Sequence, residues 1–401
     1  MPGKPRRTPV ALVALLLLVA GCSKPVKPPA GDRVVKIGLI EALSGRNAEP
    51  GQGVRNAVEL AIRQANQRDA VPGWSIELAA EDAGDPASAA KAAAKLAADP
   101  QVGGVLGTSS SSVSRATIPV LARADVVQLA YSNTNPTLSL GPFPTQAPKR
   151  VWPNFVRLVA NDLLQGGFAA AYAFDRLGFR SVATVNDQKT YGLGLVTAFE
   201  DEWRKRRGLV TSSNSVKEGD KDFTPLIDRL LAERPEFVFY GGEYEEAAAL
   251  AKQLRARGFN GPFMGGDTLF TKDFIVRAEQ GAVGALATSV GQPIEKLPSA
   301  STFINEYSRS GFKQGYSAYG GQGYDAANIL IAALGRVLPE QDSVSAARAA
   351  ITRTVSHTDG FKGVTGETTF DEFGDTSNKA LTVYKVQADT WKDVFRGTYE
   401  P

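Results

Sequence analysis

Short β-rich runs alternate with amphipathic helical runs along most of this 401-residue chain. From Val34 onward, VVKIGLIEA precedes VRNAVELAIRQANQ, WSIELAAED precedes PASAAKAAAKLAA, and VGGVLG precedes SVSRATIPVLARA before the strand-like VVQLAYS. Strands that alternate with helices form parallel sheets with helices packed on both faces. The alternation therefore predicts a doubly wound α/β fold.

A Pro- and Gly-rich stretch from Thr134 to Asn154 interrupts this pattern, which then begins again. The second block contains the strand-like SVATVND, LVTSSNSV, EFVFYGG and GPFMGGD, and a mostly helical segment follows it. Alternation in the tail, ETTFDEFGDTSNKALTVYKVQ, predicts an antiparallel hairpin. Because a chain of this length exceeds one ordinary domain, we predict two doubly wound lobes.

The first 21 residues have the pattern of a secretory signal peptide. Lys4, Arg6 and Arg7 precede an apolar run from Val10 to Ala20, shorter than the roughly 20 residues a spanning helix needs. An uncleaved anchor helix is the weaker alternative. Removing these three cations from the 45 basic residues leaves 42, equal to the 42 acidic residues. A neutral chain gives no support to a nucleic-acid partner, which favours a basic face.

Cys22 is the only cysteine of the chain, so an exported form has no internal disulfide. The preceding residues, VAG, make this position similar to the lipobox of bacterial lipoproteins. That resemblance implies cleavage before Cys22, a lipid anchor on it, and a Pro/Lys-rich tether over residues 22–33. The implied location is the outer face of the cytoplasmic membrane.

Polar side chains follow the predicted strands of both blocks. Ser109–Ser112 and Tyr131–Asn135 follow strands of the first block, and Tyr191, Glu243 and Asp267 follow strands of the second. Doubly wound sheets bind ligands at these carboxyl ends. A helix start with hydroxyls attracts an anion, and a facing carboxylate suits an ammonium group. Together they predict a site for a zwitterion, although capping is the simpler role for any single serine.

The sequence offers little support for catalysis. His357 is the only histidine, and no GxSxG motif, CxxC pair or HExxH motif is present. A hydrolase that used Ser111 as its nucleophile would need a base that the sequence does not supply. We therefore predict a binding protein that is not an enzyme, with no cofactor and no metal.

The chain resembles the solute-binding proteins of branched-chain amino acid ABC transporters, of the leucine/isoleucine/valine-binding type. The resemblance rests on KIGLIEALSG, EDAGDPASAAKAAAKL, GVLGTSSSS, LAYSNTNPTL, NDQKTYGLGL, VFYGGEYEEA, PFMGGD and GETTFDEFGD in this order. It implies the type I periplasmic binding protein fold, two lobes joined by three crossovers with the ligand cleft between them. We expect crossovers near Arg157, Ala285 and Lys362. The expected lobes are 34–157 with 286–361, and 158–285 with 362–401.

The resemblance also implies roles for the residues at the strand ends. Ser111 and Thr134 would hold the α-carboxylate of an amino acid, with main-chain contact from Ser132. Asp267 would hold the α-ammonium group, and Tyr191 would help close the cleft. The protein would then deliver its amino-acid-like ligand to an ABC permease in the membrane. The alternative is a ligand-sensing receptor of the same fold.

Three features depart from the family pattern. Pro50 stands where many members have an aromatic residue, and Gly84 and Ser110 replace a cysteine pair of some members. Glu243 replaces an aromatic residue after YGG and is followed by Tyr244. Either Glu243 faces the cleft and meets a donor or cation of the ligand or of the protein, or it points to solvent and Tyr244 takes the aromatic role.

Overall fold

The fold is taken from a computed structural model that describes residues 1, 3, 33–46 and 48–400. Its strands are β1 (Arg33–Glu41), β2 (Trp74–Asp82), β3 (Val102–Gly107), β4 (Val127–Ala130), β5 (Phe155–Arg157), β6 (Ser181–Asn186), β7 (Leu209–Ser215), β8 (Phe237–Gly241), β9 (Phe263–Gly265), β10 (Leu286–Val290), β11 (Phe361–Gly363), β12 (Gly366–Thr368), β13 (Leu381–Gln387) and β14 (Thr390–Gly397). Its α-helices are α1 (Ala48–Gln67), α2 (Pro86–Ala98), α3 (Ser111–Ala122), α4 (Thr137–Leu140), α5 (Asp162–Ala171), α6 (Thr190–Lys205), α7 (Thr224–Glu233), α8 (Tyr244–Ala256), α9 (Lys272–Ala278), α10 (Ser301–Arg309), α11 (Gly320–Val337) and α12 (Val344–Ser356). No helix in these described ranges is both long and apolar enough to cross a membrane.

The first sheet has five parallel strands in the order β2-β1-β3-β4-β5. Helices α1, α11 and α12 pack on one face, and α2 and α3 pack on the other. Because both faces are covered, β3 and β4 are buried along their whole length. This burial explains why β3 has no polar side chain, and why Gln128, the polar residue of β4, is hydrogen-bonded to Thr117 and Gly107.

The second sheet has seven strands in the order β14-β13-β10-β9-β8-β6-β7. Strands β7, β6, β8, β9 and β10 are parallel, whereas β13 and β14 add an antiparallel edge. Helices α5 and α6 pack on one face, and α7, α8 and α9 pack on the other. The predicted doubly wound α/β architecture is confirmed.

The carboxyl-terminal hairpin differs from the prediction. It pairs β13 with β14, while β12, at the start of the predicted segment, pairs with β11 in a separate two-stranded sheet. Phe370, between these sheets, is 6% exposed and packs in the core of the first sheet. The predicted hairpin was therefore placed too early, because part of its alternation serves the other lobe.

Two expected crossovers are also displaced. Leu286–Val290 forms β10 of the second sheet, so the boundary at Ala285 falls one strand too early. Because Phe370 packs on the first sheet, the last crossover lies between it and Leu381, rather than at Lys362. The rest of the division into two discontinuous lobes remains a prediction.

Candidate ligand-binding cleft

Loops that follow the strands of the two sheets contact each other directly. Asn135, after β4, donates from Nδ2 to the carbonyl oxygen of Thr190 at the start of α6, with an N···O distance of 2.7 Å. The Thr190 N–H donates to Oγ of Ser112, after β3, at 3.1 Å. The carboxyl ends of the two sheets therefore form the walls of one cleft, and the walls are in contact here.

Asp267 is the central acid of the cleft and is only 6% exposed. Its Oδ1 accepts hydrogen bonds from Gln165 Nε2 and from the Tyr191 hydroxyl, both at 2.8 Å. Its Oδ2 accepts from the hydroxyl of Tyr319, which precedes α11 on the opposite lobe. A carboxylate has about four acceptor positions, so these three donors leave about one for a ligand.

Gly266 makes this arrangement possible. A Cβ at Gly266 would lie 2.1 Å from Oη of Tyr191 and 2.5 Å from Leu195 Cδ2. Only a residue without a side chain lets the start of α6 approach the loop after β9 so closely. The glycine therefore sets the contact between Tyr191 and Asp267.

The three hydroxyl residues predicted from the first block lie buried on the facing wall. The N–H of Asn135 donates to Ser111 Oγ at 3.3 Å, and Ser132 Oγ donates to the carbonyl oxygen of Thr108 at 3.1 Å. Thr134 lies beside the carboxyl group of Asp162. Because Ser111 Oγ accepts this bond, its own hydroxyl proton remains available to a ligand.

Helix α3 starts at this wall with an incomplete cap. Ser110 occupies the capping position, yet its side chain makes no capping hydrogen bond. The N–H groups of the first turn of α3 therefore have no acceptor from this side chain. Such a helix start, next to the free proton of Ser111, favours an anion.

A buried ion pair fixes the loop that carries Thr134. Arg157 is fully buried, and its Nε donates to Asp375 Oδ1 at 2.7 Å. Its Nη1 donates to the carbonyl oxygens of Asn133 and Asn135 at 3.2 and 2.8 Å. Burial alone would raise the pKa of Asp375, but the Arg157 charge and hydrogen bonds from Arg157, Ser139 and Asn161 together outweigh it, and the pKa is lowered.

Glu243 lies on the cleft wall beside a cation of the protein. The residue is partly exposed, yet protein surrounds its carboxyl group so closely that burial raises its pKa to about 7. The nearby Lys189 opposes this rise, and Asp187 adds to it. Tyr244 is 6% exposed and packs in the core of the second sheet. The position of Glu243 thus favours a carboxyl group near the charge of Lys189, whose ammonium group pairs with Glu218 at 3.0 Å.

Arg46 joins the two lobes at the edge of the cleft. It lies in the loop after β1, and its guanidinium pairs with Glu218 at 3.1 Å, Glu245 at 3.0 Å and Glu246 at 2.9 Å, all on the second lobe. We call this set the Arg46 latch. Pro50, which replaces an aromatic residue, is exposed in the first turn of α1.

Four residues that form contacts in the cleft were missed by the sequence analysis: Arg46, Ser112, Gln165 and Tyr319. A usable signal existed for Arg46, because it lies in the SGRNAEP segment already noted for its missing aromatic residue. Capping is the simpler role for a single serine, yet Ser112 accepts a hydrogen bond from the Thr190 N–H of the opposite lobe. Gln165 lies in α5 after the three-residue strand β5, and Tyr319 precedes α11, so neither follows a strand that the sequence pattern predicts.

The histidine of the chain lies away from this cleft. His357 follows α12, is exposed, and its Nδ1 lies 2.8 Å from the carbonyl oxygen of Arg353. It borders a surface hollow of about 430 Å³ together with Arg150. It does not contact Ser111, so no His–Ser pair forms. Among the described residues, no group of three or more His, Cys, Asp or Glu side chains is suited to hold a metal.

Comparison with known proteins identifies the family. The family model described as "Periplasmic binding protein" matches residues 34–390. The chain belongs to the periplasmic binding protein family. The Leu/Ile/Val-binding protein BraC3 of Rhizobium johnstonii is 28% identical over 363 residues, which cover 90% of this chain and 94% of that protein. This finding confirms the resemblance to the leucine/isoleucine/valine-binding type.

Solved structures support the same fold. A leucine binding protein LivK from Thermotoga maritima aligns with a TM-score of 0.79 at 25% identity, covering 90% of this chain and 98% of that chain. The branched-chain amino acid transporter substrate binding protein LivJ from Streptococcus pneumoniae, in complex with isoleucine, also has a TM-score of 0.79 at 21% identity, covering 92% and 100%. This periplasmic binding protein therefore has the two-lobed type I fold.

Proposed function

We propose that this protein is an extracytoplasmic solute-binding protein that captures an α-amino acid between its lobes and delivers it to an ABC permease. The observation that carries the proposal is the buried Asp267 carboxylate, with about one free acceptor position, near a wall of hydroxyls and an incompletely capped helix start. An ammonium group fits the acid, and a carboxylate fits the opposite wall.

In this mechanism Asp267 binds the ammonium group, while Ser111, Thr134 and the main chain at Ser132 bind the carboxylate. Tyr191 orients Asp267 through its hydroxyl. Ligand binding shifts the two lobes toward the closed arrangement, because the complete set of contacts exists only when both walls meet. Glu243 borders the space for the ligand side chain and favours a more polar ligand than leucine.

The central test is Asp267→Ala, measured by isothermal titration calorimetry with each of the common L-amino acids. We expect binding to be abolished, because the ammonium group loses its counter-charge in a desolvated site. Asp228→Ala is the matched control, since Asp228 is an exposed carboxylate of the same lobe that pairs with Arg257. Unchanged affinity in Asp267→Ala would remove this acid from the site and refute the proposal.

We further propose that Cys22, which lies outside the described residues, carries a lipid that holds the protein at the outer face of the cytoplasmic membrane. The support is the VAGC sequence after an apolar leader. A tether there raises the local concentration of the binding protein near its permease. Cys22→Ser is expected to move the protein from the membrane pellet to the soluble fraction. A variant that still pellets with membranes contradicts the anchor.

A further inference from the structure

Asp162 is a carboxyl group of the cleft that has no role in the site described so far. It is the first residue of α5, and its side chain is fully buried. Neither of its carboxyl oxygens accepts a hydrogen bond of good geometry, although the Thr134 hydroxyl lies close enough to lower its pKa. A buried ionised carboxylate with so little compensation is costly.

Other donors near Asp162 are already engaged. The first N–H groups of α5, at Leu163 and Leu164, donate to Oδ1 of Asn161, so the helix start does not serve Asp162. The Arg157 guanidinium is held by Asp375 and by carbonyl oxygens of the loop that carries Thr134. Among the described residues, Thr134 is therefore the polar side chain left to form a hydrogen bond with Asp162.

Charged and titratable neighbours also disfavour a negative charge on Asp162. Asp267, in the loop after β9, repels a negative charge on Asp162, and the engaged Arg157 of β5 opposes this repulsion more weakly. Tyr191 of α6 and Tyr319 before α11 face the same space, but both hydroxyls donate to Asp267. Burial first, and then Asp267, raise the pKa of Asp162 well above its ordinary value.

A backbone hydrogen bond connects Asp162 to Thr134. The Asp162 N–H donates to the carbonyl oxygen of Thr134 at 2.8 Å. A Cβ at Gly194 would lie 3.2 Å from Asp162 Oδ2 and 2.3 Å from Asn135 Nδ2, so α6 closes over this pair. The carboxyl group and the Thr134 hydroxyl thus stay adjacent in an enclosed space at the carboxylate side of the cleft.

We propose that Asp162 is a positioning residue whose protonated carboxyl donates a hydrogen bond to Thr134 Oγ1 and so directs the Thr134 hydroxyl proton toward the ligand. A hydroxyl that accepts one hydrogen bond keeps its own proton for another partner. An ionised Asp162 would instead take that proton and repel a ligand carboxylate. The inference rests on the proposed function, since it assigns Thr134 to an amino-acid carboxylate.

Two variants test this role. The probes are the common L-amino acids, screened singly by thermal shift. Calorimetry then uses the amino acid that raises the melting temperature of the protein most. Asp162→Ala should raise its Kd about tenfold, the effect of losing roughly one hydrogen bond. Asp162→Asn should stay within about threefold at pH 7, because the amide N–H can still donate to Thr134.

The pH profile separates positioning from simple structural support. The affinity of the unaltered protein should fall as pH rises through the raised pKa of Asp162, whereas that of Asp162→Asn should stay flat. Both measurements use a Glu243→Gln background, because Glu243 titrates near pH 7. Identical profiles in the two proteins would overturn the proposal.

An infrared measurement tests the protonated carboxyl without any ligand. The spectrum of the unaltered protein minus that of Asp162→Asn at pH 7 should contain the carbonyl band of a protonated carboxylic acid. A carboxylate band in its place would overturn the proposal. If no amino acid binds the unaltered protein, the proposed function fails, and the infrared comparison still decides the state of Asp162.

Discussion

The Arg46 latch predicts that one surface arginine controls how firmly the cleft closes. Arg46 belongs to the first lobe, and its three carboxylate partners belong to the second. These ion pairs form only when the lobes meet, so they stabilise the closed arrangement and not the open one. Arg46→Ala should therefore weaken ligand binding without touching the ligand.

The size of the effect follows from the exposure of each partner. Glu218 is 55% exposed, so its pair with Arg46 contributes little, about 0.3 kcal/mol. The side chains of Glu245 and Glu246 are 10% and 3% exposed, but Arg46 itself is 44% exposed and screened by water. At roughly 0.8 kcal/mol for each of these pairs, the latch contributes about 2 kcal/mol. This corresponds to about a 30-fold change in the closure equilibrium.

The assay combines calorimetry with small-angle scattering. Arg46→Ala should raise the Kd for the amino acid by up to about 30-fold, mainly through faster release, because closure retains the ligand. Added salt should weaken binding in the unaltered protein more than in the variant, since exposed ion pairs are screened. Arg55→Ala is the matched control, because Arg55 pairs at 3.2 Å with Glu59 on its own helix.

Scattering makes the prediction refutable whichever arrangement the free protein adopts. A free protein that is mostly open shows the full loss of affinity. If the free protein is mostly closed, Arg46→Ala should cause a smaller loss of affinity and give a larger radius of gyration than the unaltered protein. If the variant has the same Kd and the same scattering as the unaltered protein, the latch does not stabilise closure.

Two further substitutions test the electrostatics of the cleft. Because the folded-state pKa of Glu243, about 7, lies above its ordinary value, ionising Glu243 costs stability as pH rises from about 4 to about 7, and the cost persists above that. Glu243→Gln should therefore raise the free energy of unfolding by about 1–3 kcal/mol at pH 8 and by little at pH 4, measured by urea titration; equal gains at both pH values would contradict this. Arg157→Met should lower that free energy by about 3–5 kcal/mol at pH 7, because it leaves Asp375 buried without its cation. Arg257→Met, which removes an exposed pair with Asp228, should cost less than about 1 kcal/mol.

The sequence predicted the fold well because βα alternation is a local pattern. Each strand and its neighbouring helix can be recognised within a few residues, and the strand ends then indicate the loops that carry Ser111, Thr134 and Asp267. The displaced crossover at β10 has a different cause. Leu286–Val290 pairs with strands on both sides, and a short apolar run does not reveal which sheet it joins.

The partners of Asp267 were harder to predict because they come from distant parts of the chain. Gln165 lies 102 residues before Asp267, and Tyr319 lies 52 residues after it. Gln165 follows β5, a strand of three residues that the sequence pattern does not reveal, and Tyr319 precedes α11, so the rule that found the other site residues does not reach them. The raised pKa values of Asp162 and Glu243 were equally inaccessible, because burial is a property of the assembled lobes.

The bond from the Thr190 N–H to Ser112 has a consequence for order within α6. The capping position of this helix is Lys189, whose side chain makes no capping bond, so the cap comes from the other lobe. When the lobes separate, the first turn of α6 loses that cap and frays. Amide hydrogen exchange at Thr190 then reports directly on opening. Tyr191 lies in the same turn of α6. In the open cleft this residue is therefore less ordered, and it becomes ordered only as the lobes close.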